Sequence, residues 1–492
     1  MSHDHPSTFP HPAYARHVLE PQFVDGQRHL FPYMIAANEA HTIMLAARGI
    51  IPEAQAGTLL QALREVAEGG PDAFPYAPEI EDLFFAVERK LIELAGVEAG
   101  GDLQIARSRN DLAAGMSRMM LRDRILAARE QVLALRTALT DLVDQHIETL
   151  MPGITHTQPA QPTTLAHYLH GVLGPLERDS DRLARAYTRV NKSAFGVAAF
   201  TTTSFPIDRH LVADLLGFDG LVENGYDAVG ASDHILESAQ ALVNCVGSLS
   251  RFVYELLVWT RRSEDVLRID DAFIQISSIM PQKRNPVVLE HVRIRMGWVY
   301  GDASTVETIV HNAAFGDTND VEDPMFVPLN RAFDSFGMVV DLLTAVLESV
   351  TFNVEEMAAR AGEGNTTTTA LADALVKDNG IPFRSAHTIA SRLVTRTTRE
   401  GSTITAALVN EVSEEVLGTA LAVTEEFVAA ALDPWTFVTS RTIPGGPAPE
   451  TTRRALDEAR QRLRADRDAL DADRVWLQAA DERRDAMVAV LT

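Results

Sequence analysis

The chain has 492 residues, with 44 Lys plus Arg against 68 Asp plus Glu, a net charge of −24. Apolar residues make up 46% and charged residues 23%, an ordinary globular composition, and the length predicts about three domains. The acidity excludes a phosphate-backbone binder and an anionic membrane surface as partners, because both demand basic stripes.

In chain order, Met1 to Pro12 are rich in His and Pro and lack the basic and apolar regions of a signal peptide. A frayed start is expected there, rather than a metal site on His3, His5 and His11. Shorter helical patterns follow to about residue 105, broken at Pro52, Gly69-Gly70-Pro71 and Pro75-Tyr76-Ala77-Pro78. After Ser108 and Asn110, apolar residues recur at Leu112, Met116, Met119, Leu126, Leu133, Leu142 and Ile147. That periodicity predicts a helix of about 40 residues, or ~60 Å, stopped by Met151-Pro152-Gly153. Four more long helices are predicted, from Pro162 to Asn191, Ala228 to Arg262, Pro286 to Ala314 and Pro324 to Val350. Gly196 to Ser204 reads as a loop or short strand.

The most apolar stretch, Ala241 to Thr260, is interrupted by Asn244, Arg251 and Glu255, short of the ~18 apolar residues of a membrane span. Cys245 has apolar flanks and reads as a buried, inert thiol. A chain with one cysteine fits a reducing, cytoplasmic setting. Beyond Val350 the pattern shortens, with breaks at Gly362-Glu363-Gly364-Asn365, Gly380-Ile381-Pro382 and Pro444-Gly445-Gly446-Pro447. Helices severalfold longer than the mean of about 11–12 residues need long partners, which predicts an elongated bundle. The expected fold is all-α, in three helical domains over residues 1–106, 107–350 and 351–492.

No phosphate-cradling glycine loop, HExxH, CxxC or GxSxG occurs, so neither a nucleotide nor a zinc site is expected, nor a hydrolase elbow. Three polar clusters sit beside the long helices instead. Ala106-Arg107-Ser108-Arg109-Asn110-Asp111 opens the first long helix. A guanidinium fork at a helix N-terminus suits a carboxylate, although the spacing alone favours an ordinary Ser/Asn cap. Thr155-His156-Thr157-Gln158-Pro159-Ala160-Gln161-Pro162 places a histidine in a loop between long helices, where it can exchange protons near neutral pH. Alone, a loop histidine satisfied by backbone reads better. Ile276 to Pro286 (ISSIMPQKRNP) is cationic and rich in hydroxyls, and has no packing logic. Lys283 and Asn285 there could hold a carboxylate as charge develops on it.

Together the three clusters resemble the argininosuccinate lyase/fumarase (aspartase) superfamily, and within it the argininosuccinate lyase branch. ARSRND resembles that branch's GRSRND segment, THTQPAQP its THLQRAQP segment, and SSIMPQKRNP the signature GSSxMPxKxNP. Glu81-Asp82, Asp227-Ala228-Val229 and Pro382-Phe383-Arg384-Ser385-Ala386-His387 agree as well.

The resemblance implies a homotetramer built on a twenty-helix core, with each active site assembled from three subunits. It also implies β-elimination of fumarate from a small dicarboxylate or amino-acid substrate, without metal or other cofactor. By position, Ser277 becomes the base, Lys283 and Asn285 hold the carboxylate of the developing anion, and Ser108, Arg109, Asn110 and Thr155 grip the succinyl end. His156 stabilises charge or protonates the leaving group, with Glu290 as its carboxylate partner. Gln158, Ser278 and Met280 complete the expected contacts.

The amine end departs from the branch. Phe84 stands where the branch has a histidine in EDxH, Gly230-Ala231-Ser232-Asp233 replaces SDRD, and Gly316 to Asp323 (GDTNDVED) replaces YNxDxQED. A buried guanidino group would lack partners there. The expectation is therefore a carbon–nitrogen lyase for an N-substituted aspartate, such as an ethylenediamine-disuccinate-type aminopolycarboxylate. Ordinary argininosuccinate cleavage is the rival, and an inactive crystallin-like homologue is a third reading that the retained polar set opposes.

Overall fold

The computed structural model describes residues 9–321 and 323–492. His3 and His5 lie outside the described residues, while His11 caps a first helical turn through Nδ1, which accepts from the Ala13 N–H.

The longer helices of the N-terminal part are α1 (Phe31–Ala47), α2 (Glu53–Gly69) and α3 (Leu83–Asp102). The first bundle helix, α4, runs Arg109–Gln145 over 37 residues. It starts where Ser108 Oγ accepts from the Asn110 N–H and Asp111 accepts in return from the Ser108 N–H, a capping box. Strands β1 (Leu150–Thr155) and β2 (Gln158–Thr164) then pair antiparallel. The chain continues through α5 (Leu165–Val190), the short α6 (Gly225–Gly230) and α7 (Asp233–Trp259). Strands β3 (Gln275–Ile276) and β4 (Arg284–Asn285) make a second, smaller ribbon. Helices α8 (Val287–Val310) and α9 (Asp323–Ser349) complete the bundle.

The predicted long helices are therefore present, with trimmed ends. The segment from Pro162 to Thr164, expected as helix, belongs to strand β2, because its prolines and threonines suit an edge ribbon better. The apolar stripes of α4, α5, α7, α8 and α9 merge into one core that also takes in α1 to α3. Helix α7 is, among the described residues, the one long and apolar enough to cross a membrane, with mean hydropathy 1.4 over its best window. Its Leu242, Cys245, Val246, Leu249, Val253 and Leu256 are buried in this core.

After Val350 a separate small core gathers α10 (Thr368–Asn379), α11 (Phe383–Glu400), α12 (Ala406–Leu417) and α13 (Glu425–Leu432). The last helix, α14 (Pro449–Leu491), is 43 residues long and runs back antiparallel along α4. The sequence reading missed its length for a physical reason. Its apolar seam is thin, Leu456, Leu463, Leu470 and Leu477 at steps of seven. Much of its contact with α4 and the turn that follows it is ionic instead: Glu148 of that turn with Arg453 (2.7 Å), then from α4 Asp144–Arg460 (2.8 Å), Arg136–Asp466 (2.5 Å), Arg129–Asp473 (2.5 Å), and Glu130 with both Arg467 and Arg474.

Candidate active site

The first cluster stands on the start of α4. Arg109 is half-exposed, and its Nη1 meets Asp82 at 2.7 Å and Glu81 at 3.3 Å while its guanidinium lies over the Phe85 ring. Asn110 donates from Nδ2 to Asp317 Oδ2 at 2.5 Å. Ser108 Oγ also lies 3.0 Å from Asn110 Oδ1. Arg107, counted among the cationic residues of the motif, points inward. It is held by Asn38 and Gln104 and lines a small internal cavity with His41 and Asp111. Burial lowers its pKa to about 10 and that of His41 to about 3.

Asp111 anchors the whole cluster. It is fully buried and accepts from the N–H groups of Ser108 (2.9 Å), Gly196 (2.9 Å) and Ala198 (3.1 Å). Burial raises its pKa to about 6 against the pull of those donors and of Arg107. The segment it grips is strained, since Ala198 and Thr202 hold positive φ of 53° and 62°. Helix α6 packs beside it through Ala228 and Val229, against Ala194, Val197 and Ala114 of α4.

The second cluster is the tip of the β1–β2 hairpin rather than an irregular loop. Thr155 and Gln158 are paired across the ends of the strands, and all of Thr155 to Gln158 are exposed. His156 and Thr157 form the two-residue turn with φ of 51° and 63°, a conformation that hairpins normally give to Asn-Gly. Holding a histidine and a β-branched residue there costs about 1–3 kcal/mol each. Gly153 admits the close approach of the opposite strand, as a Cβ there would lie 2.7 Å from the Gln161 carbonyl oxygen. Gln161 in turn donates to Thr369 at 3.0 Å, just inside α10.

The third cluster is the loop closed by β3 and β4. Asn285 Nδ2 donates to the Gln275 carbonyl at 3.0 Å and pins its base. Ser277 Oγ accepts from the N–H groups of Met280 (3.1 Å) and Ile279 (3.4 Å), two donors aimed at the oxygen of the expected base. Arg284 is committed to Asp271. Lys283 has no ion-pair partner among the described residues. Ser278 and Met280 are exposed, and Glu290 stands exposed on the first turn of α8. It lines an open groove of about 610 Å³ between α7 and α8, with Tyr254, Leu257, Val258, Arg261, Arg293 and Ile294.

Each cluster is thus locally assembled, but within one chain they stay apart. Among the described residues no hydrogen bond or ion pair joins one cluster to another, nor His156 to Glu290. Sequence reasoning missed Asp317, the Asp111 anchor and the Arg109 carboxylates as site-builders. Asp111 carried a readable signal, the third helical position of a capping box, whereas Asp317 is 207 residues from Asn110 in sequence.

The fold and site define an elongated helical-bundle protein with hydroxyl, guanidinium and amide groups on the loops beside its long helices. The chain matches the model of the family described as Lyase over residues 25–301 and that described as Argininosuccinate lyase C-terminal over residues 365–439. It is 35% identical over 468 residues to Argininosuccinate lyase 1 of Shouchella clausii (strain KSM-K16), covering 94% of each chain. It is 39% identical over 442 residues to the argininosuccinate lyase of Methanothermobacter thermautotrophicus, covering 89% of this chain and 94% of that one. An EDDS lyase variant with bound fumarate superposes with a TM-score of 0.87 at 30% identity, over 96% of this chain and 95% of that one. The chain belongs to the argininosuccinate lyase branch of the argininosuccinate lyase/fumarase superfamily, and it is a carbon–nitrogen lyase.

Proposed function

We propose that the enzyme releases fumarate from an N-substituted aspartate whose amine half is not arginine, an aminopolycarboxylate of the ethylenediamine-disuccinate kind. The observation that carries this reading is the rewritten amine end beside an intact succinyl end. Phe84 is buried in the apolar core and offers no polar group. Gly316 carries no side chain, and Asp317 is turned to Asn110. The likeness to an EDDS lyase that binds fumarate supports the same reading.

In the reaction, deprotonated Ser277 Oγ takes the proton from the carbon beside a carboxylate. The two N–H groups at that oxygen favour its anion. The electron pair of the broken C–H bond rests on the aci-carboxylate, facing Lys283 and Asn285. It then forms the C=C bond as the C–N bond breaks. The nitrogen keeps that bond's pair and takes a proton, and fumarate and the amine leave. His156 stabilises the charge or supplies that proton, with Glu290 behind it. Ser108, Arg109, Asn110 and Thr155 hold the succinyl part, and Gln158, Ser278 and Met280 line it.

The three clusters meet between subunits of a cytoplasmic homotetramer. Their separation within the chain supports this, as do the exposed Tyr254 and Ile294 on the groove that Glu290 shares, and Trp298 farther along α8. Ile276 and Ile279 are 80% and 82% exposed, which supports closure of the Ser277 loop over bound substrate.

The test follows the ultraviolet absorbance of fumarate with a panel of N-substituted aspartates. Release from an ethylenediamine-type adduct is expected. The higher identity to argininosuccinate lyases favours a second reading. Arginine release from argininosuccinate at an ordinary rate of about 1–10³ per second would decide for it.

A further inference from the structure

Beside Asn110 lies a pair of aromatic rings that the mechanism does not use. Phe200 and Tyr226 stack with ring centroids 4.5 Å apart, yet they stay 37% and 49% exposed. Their place is built with care. Asp111 ties Gly196 and Ala198 to the start of α4, which fixes the segment leading to Phe200. Tyr226 follows Gly225, where a Cβ would lie 1.9 Å from the Phe200 carbonyl oxygen, so only glycine lets the two segments touch. At the other end of α6, Gly230 abuts Gly316: a Cβ on it would meet the Gly316 nitrogen at 2.7 Å. A Cβ on Gly316 would in turn lie 4.0 Å from Tyr226 Cε1. The next residue, Asp317, accepts from Asn110. Two part-exposed rings, tilted 36° to each other, and a carboxylate therefore adjoin the residue assigned to the succinyl end, where the nitrogen substituent must lie.

We infer that Phe200, Tyr226 and Asp317 form the subsite for the amine half, and that among the non-arginine amines they favour a secondary ammonium carrying a ring or other flat apolar group over the flexible, charged arm of an ethylenediamine-type adduct. The inference rests on the function proposed above. A substituted aspartate nitrogen that is an ordinary amine is protonated and pairs with Asp317, which then exchanges Asn110 for it. The substituent lies against the rings and gains contact area plus the attraction between a cation and a ring face. A methyl substituent reaches neither ring.

The test measures kcat/KM for fumarate release from the benzylamine and methylamine adducts of aspartate, in the wild type and in Tyr226→Ala, Phe200→Ala and Tyr226→Phe. The wild type is expected to favour the benzyl adduct by about tenfold or more. Tyr226→Ala and Phe200→Ala should each erase most of that ratio, and Tyr226→Phe should restore it. Because the ratio is taken within one protein, a loss of folded enzyme does not move it. A ratio unchanged in both alanine variants, or a wild type that prefers the methyl adduct, overturns the subsite while the lyase reading stands. A wild type that turns over neither adduct but cleaves argininosuccinate overturns both the subsite and the reading that the amine half is not arginine, while the enzyme remains a carbon–nitrogen lyase.

Discussion

Helix α4 uses arginine in two opposite ways along its length. On the flank that faces α5 and α14, Arg122, Arg129 and Arg136 repeat every seven residues, and each is buried. Arg129 and Arg136 meet Asp473 and Asp466 of α14, and Arg122 donates to the Asn191 side chain and the Leu216 carbonyl. At its N-terminus Arg109 is 45% exposed, held by carboxylates that water also reaches. A guanidinium that is desolvated must have a fixed partner in the chain, or burial would cost several kcal/mol. One that stays wet can exchange its partner for a ligand at small cost. The clasp therefore belongs to stability and the end of the helix, in the proposed mechanism, to binding, and substitutions should separate the two.

The largest expected effect is on the chemistry side. Ser277→Ala removes the proposed base, and kcat should fall by about 10²–10⁴-fold, with the thermal midpoint unchanged because the loop is exposed. Full activity in this variant would remove Ser277 from the mechanism. Next comes the clasp. Asp466→Ala takes from Arg136, only 1% exposed, its close carboxylate and leaves it Ser180 Oγ at 3.0 Å and the more distant Glu177 at 3.9 Å. Unfolding free energy should drop by about 3 kcal/mol, the low end for a broken buried pair, because Asp466 itself is 43% exposed. KM should not move. The double change Arg136→Met with Asp466→Leu should recover most of the loss, since an apolar pair needs no desolvation. Denaturant titration at neutral pH checks both, and a kinetic defect in Asp466→Ala would blur the separation.

The same contrast explains how far the sequence could be read. The long helices from Leu112 to Val350 announced themselves because their stripes are apolar, and apolar stripes have a visible period. Helix α14 did not, because it is held largely by charges whose partners lie up to 344 residues away, as Arg129 does from Asp473. The Ser277 cluster was legible by itself, since hydroxyl, amide and cationic residues between prolines have no role in packing, whereas the Ser108 and His156 clusters, which alone read as an ordinary cap and a backbone-satisfied loop, became legible only beside it. What linked them to the rest was not legible. Nothing in the sequence pairs Asn110 with Asp317, or shows that the THTQ segment is a left-handed turn at a hairpin tip. Those facts depend on chain crossings, not on local pattern. Phe84 stood out in the sequence where a polar group was expected, and the structure adds that it is core.

A pH titration sharpens the contrast on the buried side. His234 is held by Arg118, and burial lowers its pKa to about 4. The folded state thus binds this proton less readily than the unfolded chain, whose histidine titrates near 6.5. The stability from neutral His234 is present above about pH 6.5 and is lost as pH falls toward 4. Relative to His234→Gln, which can still accept from Arg118, the wild type should lose about 2–3 kcal/mol between pH 7 and pH 4.5. Parallel stability curves for the two proteins would show that His234 does not titrate in this way.

The smallest effect belongs to the solvent end of the clasp, and it tests whether burial or charge governs the whole row. Arg453 and Glu148 are 53% and 61% exposed, though their 2.7 Å contact is within 0.2 Å of the 2.5 Å buried rungs. If distance governed, Arg453→Ala would cost as much as Asp466→Ala. Water and salt screen this pair, so the expected loss is below about 1 kcal/mol and should fade as ionic strength rises. The loss in Asp466→Ala should persist in salt, because Arg136 lies where mobile ions do not reach. Equal losses in the two variants, with equal salt dependence, would mean that the clasp is a surface ladder throughout, and the distinction between buried and wet arginine would fail.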